Sequence, residues 1–147
     1  MYVDANNLYG WAMSKKLPVD GFKWVNDLSM FTEDFIKNYD EEGDVGYLLV
    51  VDIEYPKTLC MLHSDLPFLP EKMKINKCPK LFCNVTDKEN YSIHIVALKQ
   101  ALNHDLKLIR VHSVISFRQE AWLKPYIDLN TELRKMQKMN LKKTFTS

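Results

Sequence analysis

The chain begins with Met1-Tyr-Val-Asp-Ala-Asn-Asn-Leu-Tyr-Gly-Trp-Ala-Met-Ser14. Tyr2 is aromatic and Val3 is β-branched, which predicts the end of a strand. The apolar run Leu8–Met13 predicts the first turns of a helix. Asp4 would then stand at the carboxyl end of the strand, where a carboxylate suits Mg²⁺, an ion that takes one or two carboxylates together with substrate phosphates. On the residue pattern alone, the commoner role of such an aspartate is to cap the helix.

Residues 2–13 resemble the first palm motif of family B DNA polymerases. That motif reads Asp, two variable residues, Ser or Asn, Leu, Tyr and then usually Pro, and this chain has Asp4-Ala-Asn-Asn-Leu-Tyr-Gly10. The match is strongest with the protein-primed branch, which occurs in phages, linear plasmids, adenoviruses and large self-synthesising DNA transposons. The transposon-type members carry Asn-Leu-Tyr-Gly-Trp-Ala-Met almost as it stands here.

The resemblance implies a role for each matched residue. Asp4 would be the catalytic aspartate that binds Mg²⁺ or Mn²⁺. Asn7, Leu8 and Tyr9 would shape the nucleotide pocket, with the Tyr9 ring under the incoming sugar, where it excludes a 2′-hydroxyl. Gly10 replaces the usual proline, so we expect the backbone after Tyr9 to be less restrained than in the phage enzymes.

Four blocks further along the chain resemble the same family, where they lie between the first palm motif and the fingers. They are residues 91–95, 98–102, 112–118 and 122–134. The resemblance implies an α+β fold: part of a polymerase palm plus the insertion of the protein-primed branch, with mixed or antiparallel strands and a long C-terminal helix. It divides the chain into a palm motif at 1–14, an insertion-like region at 15–90 and a strand–helix–strand–helix region at 91–147 that leads to the fingers.

Hydrophobic periodicity predicts the elements between these blocks. Val45–Tyr55 alternates as a strand, and Leu48 and Val50 make it apolar on both faces at its start. The aromatic side chains of Phe22 and Trp24, in an extended segment, are expected in the core. The remaining predictions are a helix at 29–38 capped by Ser29, irregular chain at 58–79, strands at 81–85 and 91–95 joined by a turn, a helix at 96–104, a strand at 106–117 whose buried face holds the odd-numbered residues, and a helix at 120–143. The last helix is predicted to carry one apolar stripe, formed by Trp122, Tyr126, Leu129, Leu133, Met136 and Met139 or Asn140.

Charged side chains supply further candidate sites. Asp52 and Glu54 project to one side of a strand, as a second carboxylate pair or as a solvent-facing strand end. Lysines in the expected loop at 72–80 and near the end of the last helix could contact phosphates. The candidate DNA contacts are Lys72, Lys74, Lys77, Lys135, Lys138 and Lys142.

Composition limits the class of protein. Lys and Arg number 20 and Asp and Glu 19, and this near-zero net charge counts mildly against an autonomous nucleic-acid binder. There is no run of apolar residues long enough for a membrane span. The three cysteines fit no disulfide framework and no zinc pattern, so we expect reduced thiols, no disulfide partner and a nuclear or cytoplasmic protein.

The function implied by the resemblance is that of a DNA-directed DNA polymerase. Such an enzyme transfers dNMP to a 3′-hydroxyl, or to a hydroxyl of a terminal priming protein, and its partners are the template-primer and the dNTP. One alternative is a non-catalytic DNA- or protein-binding remnant of a transposon. Another is a small nuclease-like metal enzyme that uses Asp4, Asp52 and Glu54.

The second palm motif, Asp-Thr-Asp, and the fingers motif with its lysine are missing from this sequence. Two-metal catalysis needs carboxylates that clamp both ions, and one aspartate cannot supply them. We therefore expect a fragment that shows no template-dependent primer extension by itself. Extension by the purified chain that disappears in Asp4→Ala would contradict this expectation.

Overall fold

The computed structural model describes residues 7–63, 67–82 and 84–146 and has the expected α+β class. Tyr2, Val3 and Asp4 lie outside the described residues. In chain order the elements are α1 (Leu8–Met13), β1 (Leu17–Trp24), α2 (Glu33–Lys37), β2 (Val45–Glu54), α3 (Lys57–Cys60), β3 (Glu71–Ile75), β4 (Cys78–Phe82), β5 (Lys88–His94), α4 (Ile95–Asn103), β6 (Lys107–Glu120) and α5 (Lys124–Thr146).

The chain forms two compact units. We call Gly21–Phe117 the central unit, and Met1–Asp20 with Arg118–Ser147 the terminal unit. The segments 1–14, 15–90 and 91–147, which follow motifs rather than compactness, stay a prediction.

A four-stranded sheet has the order β1-β6-β2-β5. β2 and β5 are antiparallel, with Leu49 opposite Ile93 and Val51 opposite Tyr91, and the register shifts between Val51 and Ile53. β3 and β4 form a separate antiparallel hairpin, so neither pairs with the larger sheet.

The core of the central unit lies between one face of β2 and the helices α2 and α4. Leu49, Val51 and Ile53 are buried on β2. They cluster with Ile36 of α2 and with the buried α4 residues Leu98, Ala101 and Leu102. These α4 positions recur at spacings of three and one, as on one face of a helix. Truncation of such a buried leucine to alanine typically costs about 2–5 kcal/mol.

The structure corrects two predicted strand faces. The face of β2 that carries Leu48 and Val50 is not buried as predicted, because Leu48 is 42% exposed and Val50 is only half-buried. On β6 the predicted odd-numbered face is wrong over most of its length: Ile109 is exposed, whereas Val114 and Ser116 are buried. Phe117 is also buried, so both faces of the strand are covered near its end. The alternation in the sequence could not reveal which neighbour covers each face.

Other predicted elements are also corrected. α2 begins after Thr32, whose hydroxyl accepts the Phe35 N–H at 3.3 Å, while the predicted cap Ser29 donates to Asp27 instead. Residues 58–79 are not irregular, since they hold most of α3, all of β3 and the start of β4. The predicted strand at 81–85 pairs as part of β4 with β3, not with residues 91–95. Phe22 and Trp24 are 59% and 66% exposed rather than in the core.

The long C-terminal helix is confirmed, with bounds shifted to those of α5. Its predicted apolar stripe, however, is exposed along the whole helix, and no residue of α5 is buried. None of the described helices is long and apolar enough to cross a membrane. Cys60 and Cys78 are free thiols.

The N-cap of α4 depends on the protonation state of a histidine. His94 Nδ1 accepts the Val96 N–H at 3.2 Å, which requires an unprotonated Nδ1. Burial lowers the pKa of His94 in the folded protein. The unfolded chain therefore binds more protons as the pH falls through the ordinary histidine pKa of about 6.5, and stability must decrease there.

We expect the wild type to lose free energy of unfolding between about pH 7.5 and pH 5.5, on either side of that pKa, and His94→Asn to lose less. Asparagine is among the best N-caps and does not titrate, and the rest of the sequence is the same in both proteins. Urea unfolding at the two pH values measures the difference. Equal losses in the two proteins would show that His94 is not the titrating group.

Candidate functional site

α1 is capped by the residue that precedes it. Asn7 has left-handed backbone angles, φ 55° and ψ 48°, and its side-chain oxygen accepts the Gly10 N–H at 3.3 Å. Asparagine tolerates this conformation better than most residues. The cap starts the helix so that the next two side chains, Leu8 and Tyr9, are directed to solvent, and Tyr9 is 87% exposed.

Gly10 is the one buried residue of α1. A Cβ added to it would lie 2.6 Å from Asn7 Oδ1 and closer still to Nδ2. Gly10 therefore lies against the capping side chain. Glycine at this position leaves space for the Asn7 side chain. This role differs from the expectation from the sequence, which was a less restrained backbone after Tyr9.

A groove runs between α1 and α5 within the terminal unit and has a volume of about 640 Å³. α1 lines it with Asn7, Tyr9, Gly10 and Met13, and α5 lines it with Tyr126, Ile127, Asn130, Thr131, Arg134, Lys135 and Lys138. The groove thus brings two of the three predicted nucleotide-pocket residues together with two of the predicted DNA contacts.

The other predicted site residues lie elsewhere. Leu8 and Lys142 do not line the groove. Lys72, Lys74 and Lys77 belong to the β3–β4 hairpin of the central unit.

The charge of the groove is wholly positive among its lining residues. Arg134, Lys135 and Lys138 line it, and no carboxylate of the described residues does. Within the described ranges, none of these three cations forms an ion pair. Arg134 and Lys138 are four residues apart, one turn of helix, where like charges repel by about 0.2–0.5 kcal/mol. An anion in the groove would relieve this repulsion.

Sequence reasoning missed part of this lining. Tyr126 was assigned only to an apolar stripe, and Asn130 and Thr131 were assigned no role. Both polar side chains also bond within α5, Asn130 Nδ2 to Tyr126 O and Thr131 Oγ1 to Ile127 O. The spacing of Ile127, Thr131, Arg134 and Lys138 by four, three and four residues marks a single helix face and could have revealed it.

The metal site cannot be assembled from the described residues. Asp4, the predicted ligand, lies outside them. In the part of the chain that the structure describes, no three His, Cys, Asp or Glu side chains are grouped so that they could hold a metal ion.

Asp52, one member of the second candidate carboxylate pair, has a structural role. Asp52 Oδ1 accepts the Asn90 N–H at 2.8 Å and lies 2.8 Å from His112 Nε2. The Asn90 N–H, and then His112, hold the pKa of the Asp52 carboxyl below its usual value. This carboxylate thus links β2 to β5 and β6, and with Glu54 it has no third described ligand.

Comparison with protein-family models, with curated proteins and with solved structures finds no match for this chain.

We expect Gly10→Ala to disrupt the start of α1, because the new Cβ and the Asn7 side chain cannot occupy the same space. Loss of an N-cap costs about 1 kcal/mol, and the helix should fray. Hydrogen exchange at the Ser14 amide, which donates to Gly10 O at 3.0 Å, measures the effect.

A double variant separates the clash from other effects of alanine. Asn7→Gly removes the capping side chain and keeps the left-handed backbone accessible. Gly10→Ala should therefore be harmless, or mildly protective, when it is added to Asn7→Gly. If it accelerates exchange equally in both backgrounds, the contact with Asn7 is not the cause.

Proposed function

We propose that this chain belongs to the catalytic core of a protein-primed family B DNA polymerase, and that the α1–α5 groove receives the nucleotide. One observation carries the proposal. Asn7 and Tyr9, which match the family's nucleotide-pocket residues, line the same groove as Arg134, Lys135 and Lys138. The motif resemblance of Asn7 and Tyr9 supports a sugar in the groove, and the three cations, which form no ion pair among the described residues, support phosphates attached to it.

The sugar and the phosphates of a nucleotide would contact different side chains of the groove. The exposed Tyr9 ring offers a flat surface for the sugar, and its bulk would oppose an added 2′-hydroxyl. The guanidinium of Arg134 can bind two phosphate oxygens in a fork, whereas Lys135 and Lys138 act as point charges. Positive charge that is already in place stabilises the charge that develops during phosphoryl transfer.

The proposal includes a metal ion but gives it no position in the groove. When bound, Mg²⁺ or Mn²⁺ would activate the attacking hydroxyl and neutralise the leaving phosphates. Asp4 is the residue of this chain that we assign to it. The groove residues bind and orient the nucleotide, and they do so without requiring a position for the ion.

The partners of the reaction follow from the same assignment. They are a template-primer, a dNTP and, at initiation, a terminal priming protein. We place the enzyme in the nucleus or the cytoplasm, where the free thiols of Cys60 and Cys78 would stay reduced.

A second candidate function is a non-catalytic DNA- or protein-binding module. The observation that favours it is the basic β3–β4 hairpin, which lies in the other unit from the groove. A module of this kind would bind DNA but would not distinguish dNTPs from rNTPs.

Nucleotide binding tests the groove. We expect the chain to bind a dNTP more tightly than the matching rNTP, and Tyr9→Ala to bring the two dissociation constants closer together. The triple variant Arg134→Gln, Lys135→Gln, Lys138→Gln should weaken dNTP binding at least about tenfold, since hydrogen bonds to charged groups contribute about 1.5–3 kcal/mol each. Titration calorimetry with a dNTP and with the uncharged deoxynucleoside measures both effects.

The same helix supplies a matched control. Lys124→Gln, Lys142→Gln, Lys143→Gln removes equal charge from α5 at positions that do not line the groove. It should leave dNTP affinity nearly unchanged. If this variant weakens binding as much as the groove variant, or if the deoxynucleoside binds as well as the dNTP, the groove is not a nucleotide site.

A further inference from the structure

A cavity of about 330 Å³ lies within the central unit, between α2 and the first residues of β2. Three aromatic side chains line it: Phe35 of α2, Tyr39, which follows that helix, and Tyr47 of β2. Cavities that bind small molecules usually measure about 300–1,000 Å³. This cavity is at the lower end of that range, so it suits a single side chain better than a cofactor.

The three rings stand steeply against one another. The Tyr47 ring centre is 6.3 Å from that of Phe35 and 6.1 Å from that of Tyr39, at interplanar angles of 67° and 69°. The Tyr39 hydroxyl donates to Val45 O at 2.5 Å, which fixes its ring. Phe35 and Tyr47 are only half-buried, so part of each ring remains accessible to a ligand. The face of an aromatic ring is electron-rich and attracts cations.

The charged part of the lining is acidic. Asp40 and Asp44 line the cavity, and none of the described residues that line it is a Lys, Arg or His. Asp40 is exposed and forms no ion pair within the described ranges. Lys99, which does not line the cavity, lies 3.5 Å from Glu41 Oε1 and donates to Tyr39 O at 2.9 Å. Negative charge beside accessible ring faces favours an organic cation as the ligand.

The turn that follows α2 holds the Asp40 carboxylate in place. Asp40 Oδ1 accepts the Glu42 N–H at 3.0 Å, and the Gly43 N–H donates to Asp40 O at 3.2 Å. A Cβ at Gly43 would lie 3.2 Å from Asp40 O, so glycine permits this close turn. A carboxylate has about four sites that accept hydrogen bonds. Asp40 therefore keeps the capacity to accept from a ligand.

We propose that this cavity binds the guanidinium of an arginine side chain from a partner protein. A guanidinium is planar, so it can lie on a ring face while its N–H groups donate to a carboxylate. The ammonium of lysine is a compact and more strongly hydrated point charge, which does not stack in this way. The acidic lining would repel the phosphates of a nucleic acid.

This inference goes beyond the proposed function, because the cavity lies in the central unit and requires neither a nucleotide nor DNA. The two can fail separately. Groove variants are judged by dNTP affinity, and cavity variants by the affinity for an arginine peptide.

Binding of short peptides is the primary test. The isotope-labelled chain is titrated with acetyl-Ala-Arg-Ala-amide, and the NMR shifts of the Gly43, Val45 and Tyr47 amides report occupation of the cavity. The same peptide with citrulline keeps the shape of arginine but has no charge, so it loses both the ring contact and the ion pair. It should bind about tenfold more weakly. The peptide with lysine should also bind more weakly than the arginine peptide.

Variants of Phe35 test the ring contact. Phe35→Leu removes an accessible ring face and should weaken binding of the arginine peptide about two- to fivefold. Phe35→Tyr keeps the ring and should retain the wild-type affinity. Because citrulline carries no charge, Phe35→Leu should leave the weaker affinity of the citrulline peptide unchanged, whereas a merely structural defect would reduce both.

Variants of the acidic turn test the carboxylate. Asp40→Asn removes the charge but keeps an oxygen that can accept the Glu42 N–H, and it should weaken arginine binding by up to about fivefold. Glu41→Gln is the matched control, because it removes an equal charge from the next residue, which does not line the cavity. It should bind the arginine peptide as the wild type does.

Several results would overturn the proposal. They are a citrulline or lysine peptide that binds as tightly as the arginine peptide, a Phe35→Leu variant that weakens the arginine and citrulline peptides equally, and a Glu41→Gln variant that loses as much as Asp40→Asn. If the same amides shift with protein concentration in the absence of peptide, the cavity belongs instead to a contact with a second copy of the chain.

Discussion

The buried face of β2 is the constraint on which the central unit depends. Leu49, Val51 and Ile53 form its face toward the core, and the antiparallel pairing with β5 places Ile93 beside them. Side chains alternate across a strand, so a shift of one residue would turn this face to solvent. Asp52, on the opposite face, binds the Asn90 amide of β5 and contacts His112 of β6. The strand therefore fixes its register through apolar burial on one side and a carboxylate on the other.

Local sequence patterns predicted the helices and strands that have a strong hydrophobic periodicity. The β2, α4 and α5 segments were found from alternation or from helical spacing, with ends displaced by a few residues. The errors arose where tertiary contacts decide the outcome. No local sequence pattern shows that Phe22 and Trp24 remain exposed. Nor does one show that β4 pairs with the preceding strand, β3, rather than with the following strand, β5. The four lysines at 72–80 were recognised as a charge cluster, but only the register shows which of them share a face.

The sequence predicted individual residues of the candidate site, but it did not predict that they lie together in one groove. Asn7 and Tyr9 were identified by a motif, and Lys135 and Lys138 by their charge, more than a hundred residues further along the chain. Their meeting in one groove depends on α1 lying along α5, and no sequence pattern specifies that pairing. The same limit explains why Tyr126 was interpreted as part of an apolar stripe: its periodicity is correct, but the stripe remains exposed.

The near-zero net charge of the chain conceals a strongly uneven distribution. Acidic residues are occupied where they meet cations, as in Asp20 with Arg118 and Glu71 with Lys88. The cations of the groove and of the hairpin are left without such partners among the described residues. Because charge screening acts over about 8–10 Å at physiological salt, a polyanion responds to these local clusters and not to the sum over the chain. Net charge is therefore a weak guide to whether a chain with this charge distribution has a nucleic-acid partner.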